Sequence, residues 1–96
     1  MNYAEGIRKA REHAGLSKRK LASRAGFNAS YVGLLESGKR SPSLEALETI
    51  AGATNVPMGL LMLMCAEDRD LKGIDVGEAK VIFDSLAALL NETHDD

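Results

Sequence analysis

At 96 residues the chain can build one helical core and not two independent ones. Two Phe, two Tyr and no Trp leave that core to Leu, Ile, Val, Ala and Met, while the single Cys excludes an internal disulfide and fits a reducing cytoplasm. The net charge of -2 argues against a nucleic-acid partner until it is divided by position: residues 1–40 carry nine basic and three acidic side chains, and residues 41–96 carry three basic and eleven acidic. A basic front and an acidic back can turn a molecule toward phosphates while limiting nonspecific attachment, although a merely solvated charged face shows the same distribution. Residues 1–20 are charged throughout and do not read as a signal peptide, so the expectation is a soluble cytoplasmic protein with no membrane partner.

The first helix is predicted over residues 3–14, with Ile7, Ala10 and Ala14 at helical spacing and Gly15 as its stop. Ser17 suits the N-cap of a second helix that ends at Ala25, with Leu21, Ala22 and Ala25 as its apolar stripe. Gly26 and Phe27 leave room only for a turn. Asn28 caps a third helix, because its side-chain carbonyl can accept a first-turn N–H, and Gly38 supplies the left-handed residue that ends it. Val32 and Leu35 give that helix a core-facing stripe, with Ser30, Tyr31 and Gly33 on the other side. A fourth helix begins near Ser43 and runs through Leu44, Leu47, Ile50 and Ala51 to about Thr54. After Pro57, the run from Met58 through Leu60, Leu61, Leu63 and Met64 to Cys65 is apolar on nearly every face. Such a helix is either buried or shared with another chain. Residues 66–75 form a charged connector with Gly73 as its turn. Residues 76–92 read as a final amphipathic helix, with Ala79, Ile82, Phe83, Leu86, Leu89 and Leu90 on a broad apolar face. That last helix either covers the fifth, acts as a dimerisation arm, or docks a protein partner, and the final residues fray.

Two short helices around a tight Gly-containing turn, residues 17–37, form a helix-turn-helix whose second helix can enter a DNA major groove. An ordinary αα corner has the same geometry and binds nothing. The stretch resembles the lambda repressor/Cro family, also called the XRE family. The resemblance rests on Arg11, the Gly15-Leu16-Ser17 turn, Leu21-Ala22, Gly26, Val32 and the run Glu36-Ser37-Gly38-Lys39-Arg40-Ser41-Pro42-Ser43, and it spans Ile7 to about Met62. It implies an all-α fold: a five-helix lambda-repressor-like DNA-binding domain over residues 1–65, here with the connector and the extra C-terminal helix appended. It also implies that Arg11 and Glu36 form a structural ion pair. Family members commonly dimerise through the region of Leu60, Leu63 and Met64, and the final helix adds Phe83, Leu86 and Leu90 to the expected dimer interface.

On DNA, phosphate anchoring and base reading are separate tasks. The N-terminus of the second helix offers unpaired N–H groups and a positive dipole end, at Ser17, Lys18 and Arg19. Lys39 and Arg40 are the second phosphate clamp, and the resemblance places Lys18, Lys39 and Arg40 at backbone contacts. The positions that match the family's base readers are Ala29, Ser30 and Leu34, flanked by Asn28 and Tyr31. Relatives commonly place Gln, Arg, Asn or Lys there, because two-pronged polar groups recognise A or G edges. Here Ser30 and Asn28 offer hydrogen bonds, Tyr31 a contact at a phosphate or base edge, and Ala29 or Leu34 a surface for a thymine methyl. Leu34 is alternatively a core residue, if the helix is rotated. Gly33 would allow close backbone approach, and part of the specificity is expected to come from DNA shape.

No catalytic set, metal site or cofactor motif emerges. His13 and His94 are far apart, and Cys65 sits in an apolar run. Cys65 reads as a buried small hydrophobe rather than a redox thiol, and His13 as a surface histidine rather than a metal ligand. The expected function is binding of double-stranded DNA by a homodimer at a palindromic operator, as a repressor or controller of transcription. A second reading is an antitoxin or regulatory adaptor whose C-terminal helix binds a protein partner, and a third is an interaction module that has lost DNA binding.

Overall fold

Small polar residues set the helix starts. The computed structural model describes residues 1–73 together with Gly77, Val81 and Asp84, and over the described residues the order is α1 (Tyr3–His13), α2 (Lys18–Ala25), α3 (Ala29–Glu36), α4 (Leu44–Thr54) and α5 (Met58–Cys65), with no strand. Asn2, Ser17, Asn28 and Ser43 each accept a first-turn N–H, from Glu5, Lys20, Ser30 and Ala46 at 3.1, 3.0, 3.2 and 3.0 Å. Each such cap is worth about 1 kcal/mol, because it satisfies a donor the helix cannot. α5 alone of the five starts without one, at Pro57, whose carbonyl accepts the Leu61 N–H at 2.9 Å.

The turn between α2 and α3 is as short as the sequence demands. Gly26 closes α2 at φ 71, and the Phe27 N–H donates back to the Ala22 carbonyl at 2.8 Å. A side chain at that φ costs about 1 kcal/mol or more even though the space around Gly26 is open. α2 is therefore fixed against α3 at the corner.

The core is aliphatic. Ile7 of α1, Leu21 of α2, Val32 and Leu35 of α3, Ile50 of α4 and Leu61 of α5 are essentially inaccessible to water. α1 lies on α5 and α3, while α2 lies on α3 and α4, so every helix contributes to one cluster. Ala25, expected in the stripe of α2, is only half-buried. Thr54 is buried at the end of α4, its hydroxyl donating to the Ile50 carbonyl at 2.8 Å. The α1–α5 crossing depends on Gly6, where a Cβ would come within 2.8 Å of the Cys65 Cα. Burial pushes the Cys65 thiol above its ordinary pKa, in keeping with its reading as a small hydrophobe.

The charged connector begins as a clamp rather than a free link. Its first residues form a 3-10 turn, Asp68–Asp70, closed by a capping box in which the Glu67 N–H donates to Asp70 at 2.8 Å. The Met1 ammonium pairs with Asp70 at 2.7 Å and Glu67 at 3.0 Å, and the Asn2 N–H donates to the Cys65 carbonyl at 2.6 Å. Donating hydrogen bonds to Asp70 and Glu67 raises the ammonium pKa, and accepting them lowers that of each carboxylate. Gly73 occupies a turn at φ 92, as expected. Gly77, Val81 and Asp84 are helical and exposed. Phe83, Leu86 and Leu90, expected at a dimer interface, lie outside the described residues, as do Ala79, Ile82 and Leu89. Among the described residues, no single helix is long and apolar enough to cross a membrane.

Candidate nucleic-acid interface

α3 presents its outer side because its inner side is spent. Val32 and Leu35 are at 0 % and 1 % exposure, so the helix is not rotated toward Leu34, which is 37 % exposed. The Leu34 side chain therefore belongs to the outer face. Its carbonyl is occupied by the Lys39 and Arg40 N–H groups at 3.1 and 3.2 Å, which folds the following loop back on the helix. Asn28, Ala29 and Ser30 are exposed at the opposite end of α3. Nothing lies within 4 Å of the place a Gly33 Cβ would take, so this backbone is open to close approach.

The capping chemistry limits what this face can read. Asn28 Oδ1 accepts from both the Ser30 N–H at 3.2 Å and the Ser30 hydroxyl at 3.0 Å. The oxygen of Asn28 is committed to the cap, which leaves its amide N–H₂ and the Ser30 oxygen lone pairs as the polar groups of this pair. Tyr31 departs from the sequence expectation of a purely outer residue. Its ring is half-buried against the core and meets Phe27 edge to face, centroids 5.1 Å apart.

The α2 N-terminus is capped by Ser17. The Ser17 oxygen takes the Lys20 N–H, and the first intrahelical bond, from Leu21 to the Ser17 carbonyl, spans 2.9 Å. The Lys18 and Arg19 N–H groups precede that bond and have no helical acceptor, as at every helix start. The Ser17 hydroxyl can still donate its own proton.

Ion pairing sorts the basic residues by position. The three carboxylates of residues 1–40 are all engaged on or beside α1: Glu5 with Lys9 and Arg8, Glu12 with Arg8 and Arg11, and Glu36 with Arg11. Among the described residues, no carboxylate lies within 4.0 Å of Lys18, Arg19, Lys20, Arg24, Lys39 or Arg40. All six are exposed, on α2 and the loop after α3. Lys20 and Arg24, one helical turn apart, share this exposure without being among the residues singled out from the sequence; the charge count contained them, but their lack of a carboxylate partner among the described residues did not show there.

Arg11 and Glu36 form the ion pair that the resemblance implies. Arg11 Nε and Nη2 donate to Glu36 Oε2 and Oε1 at 2.7 and 3.0 Å, and Nη1 donates to the Leu16 carbonyl at 2.8 Å. One guanidinium thereby ties α1 to the end of α3 and to the residue that leads into α2. Donating to the Glu36 carboxylate raises the Arg11 pKa further above its already high value, so its charge persists at any working pH. On α5, Leu60, Leu63 and Met64 are half-buried.

The helix-turn-helix family model HTH_3 matches residues 7–61, more than half of the chain and nearly the span that the motif residues marked. No curated protein matches. With that match, and with five α-helices, a capped α2–α3 corner and a basic face without carboxylate partners among the described residues, the chain belongs to the lambda-repressor-type (XRE) helix-turn-helix family of DNA-binding regulators.

Proposed function

We propose that this protein is a transcriptional repressor or controller that binds a palindromic operator as a homodimer. The observation that carries the reading is the sorting of charge: cations on α1 pair with carboxylates, whereas the six on α2 and the loop after α3 have no carboxylate partner among the described residues. Lys18, Arg19 and Lys20 lie in the first turn of α2, Arg24 in its last, and Lys39 and Arg40 in the loop after α3. In this reading Ser17, Lys18, Arg19, Lys39 and Arg40 hold phosphates, and Ala29, Ser30 and Leu34 with Asn28 face base edges. Residues 1–65 are the DNA-binding unit, residues 66–75 the connector, and residues 76–92 a dimerisation segment. Leu60, Leu63 and Met64, half-buried in one chain, supply the apolar surface that a twofold contact would finish burying. Two such units would set their recognition helices about one helical turn, ~34 Å, apart.

The test is a gel-shift titration on the DNA upstream of the protein's own gene, with salt varied and random duplex as competitor. Competitor-resistant binding by two chains per site is the expected outcome. Equal, weak binding to both duplexes would refute the operator-reading role and direct attention to a protein partner for residues 76–92.

A further inference from the structure

Tyr31 matches a position flanking the base readers, yet its ring is engaged on both the core side and the loop side. Phe27 packs against it nearly perpendicular, at 85°, and the Arg40 guanidinium carbon lies over the ring 5.3 Å from its centroid. The backbone enforces this approach: the Lys39 and Arg40 N–H groups both donate to the Leu34 carbonyl, which brings the loop back along α3 toward Tyr31. Phe27, Tyr31 and Arg40 thus form a ladder from the turn of the motif to the loop beyond its second helix.

We propose that Tyr31 is a positioning residue that holds the Arg40 guanidinium as a two-pronged phosphate clamp, and that it reads no base itself. The inference rests on the DNA-binding reading given above. A guanidinium over an aromatic ring is attracted by the negative face of the ring while its in-plane N–H donors stay available. Arg40 has no carboxylate partner among the described residues, so those donors are not otherwise committed. Two parallel N–H bonds match a phosphate in a way that a lysine ammonium cannot. Part of the ordering that DNA binding would impose on a long exposed side chain is thereby present in the free protein.

Binding is measured on a labelled random-sequence duplex at low salt, where the phosphate contribution dominates. Tyr31→Leu is expected to weaken binding about threefold, the size of an exposed cation–π contact. Tyr31→Phe keeps the ring and is expected to match the wild type. In an Arg40→Ala background, Tyr31→Leu should change affinity little, because the residue on which it acts is gone. A loss with Tyr31→Phe as large as with Tyr31→Leu would overturn the proposal by assigning the contact to the hydroxyl. An undiminished loss in the Arg40→Ala background would overturn it by assigning the effect to packing. The free protein gives a separate readout: the Arg40 side-chain protons should show an upfield ring-current shift in NMR that vanishes in Tyr31→Leu. Absence of that shift in the wild type refutes the placement whether or not DNA binds, whereas a wild type with the shift that binds no duplex refutes the DNA-binding reading and the clamp with it.

Discussion

Removing the Glu36 carboxylate should cost far more than removing the whole ion pair. The Glu36 side chain is 3 % exposed and that of Arg11 13 %, so both charges have left most of their water. Their compensation is two short hydrogen bonds between the pair and a third to Leu16. Glu36→Ala strips two of the three and leaves a guanidinium that cannot discharge, since arginine stays protonated. Breaking a buried pair in this way costs about 3–5 kcal/mol, out of a total of about 5–15 kcal/mol for a small domain. Replacing both partners, Arg11→Met with Glu36→Leu, removes the desolvation penalty along with the attraction. Only the Leu16 carbonyl then loses a donor, at about 1–3 kcal/mol if water does not reach it. The double variant should therefore lie within about 2 kcal/mol of the wild type. Urea unfolding followed by circular dichroism gives the midpoints and slopes needed. Single variants costing under about 1 kcal/mol would show that the pair is solvated and the argument wrong. A double variant as unstable as the sum of the singles would show that desolvation is not what the pair is working against.

Gly33→Ala should stabilise the fold by up to about 1 kcal/mol, since alanine favours the helix and nothing within 4 Å obstructs it, and should weaken DNA binding if the backbone there meets the duplex. A lowered melting temperature would contradict the open geometry. Gly6→Ala should instead destabilise by about 1–3 kcal/mol, because the new carbon meets Cys65 backbone atoms at 2.8 and 2.9 Å. Full rescue by Cys65→Ala would show that only the thiol stands in the way. The clamp at Met1 should be complete between roughly pH 4.5 and 8.0. The raised ammonium pKa means that its contribution is present below 8.0 and lost as pH climbs through the higher folded value. The lowered Glu67 and Asp70 pKa values mean that theirs is present above 4.5 and 3.8 and lost as pH falls through the lower folded values. NMR titration of the Asp70 carboxyl checks this, and titration at its ordinary 3.8 would remove the clamp.

The helix boundaries were legible because they depend on local chemistry. Ser17, Asn28 and Ser43 act on N–H groups two or three residues away, and Gly26 acts on its own φ. The buried stripe of α3 was equally readable, since Val32 and Leu35 follow from helical period alone. What the sequence withheld is whatever depends on two segments meeting. Spacing did not distinguish a core Leu34 from an exposed one until Val32 and Leu35 were seen to fill the space. The perch of Arg40 on Tyr31 needs the loop to reverse at Leu34, and the fit of Gly6 against Cys65 joins residues at opposite ends of the domain. Lys20 and Arg24 were visible as charges, but their lack of acidic neighbours among the described residues is a property of the folded surface.

That distinction also resolves the apparent conflict between an acidic chain and a nucleic-acid partner. Net charge sums over the molecule, whereas a duplex meets one face within a Debye length of about 10 Å. On α1, salt bridges tie the cations to carboxylates, so Arg8, Lys9 and Arg11 add little to the field outside. On α2 and the loop after α3 there is no such cancellation among the described residues. The exposed face of α3, the reading face under the proposed function, is by contrast poor in two-pronged polar groups: Asn28 has its oxygen tied into a cap, and Ala29, Gly33 and Leu34 carry no polar side-chain group. Anchoring thus has more chemistry behind it than base reading does. Under the proposed function, much of the discrimination between sites would come from where two anchored units are held along the duplex and from how readily the DNA takes that shape. Under the proposed function, the dimer contact is accordingly as much a part of specificity as the residues of α3.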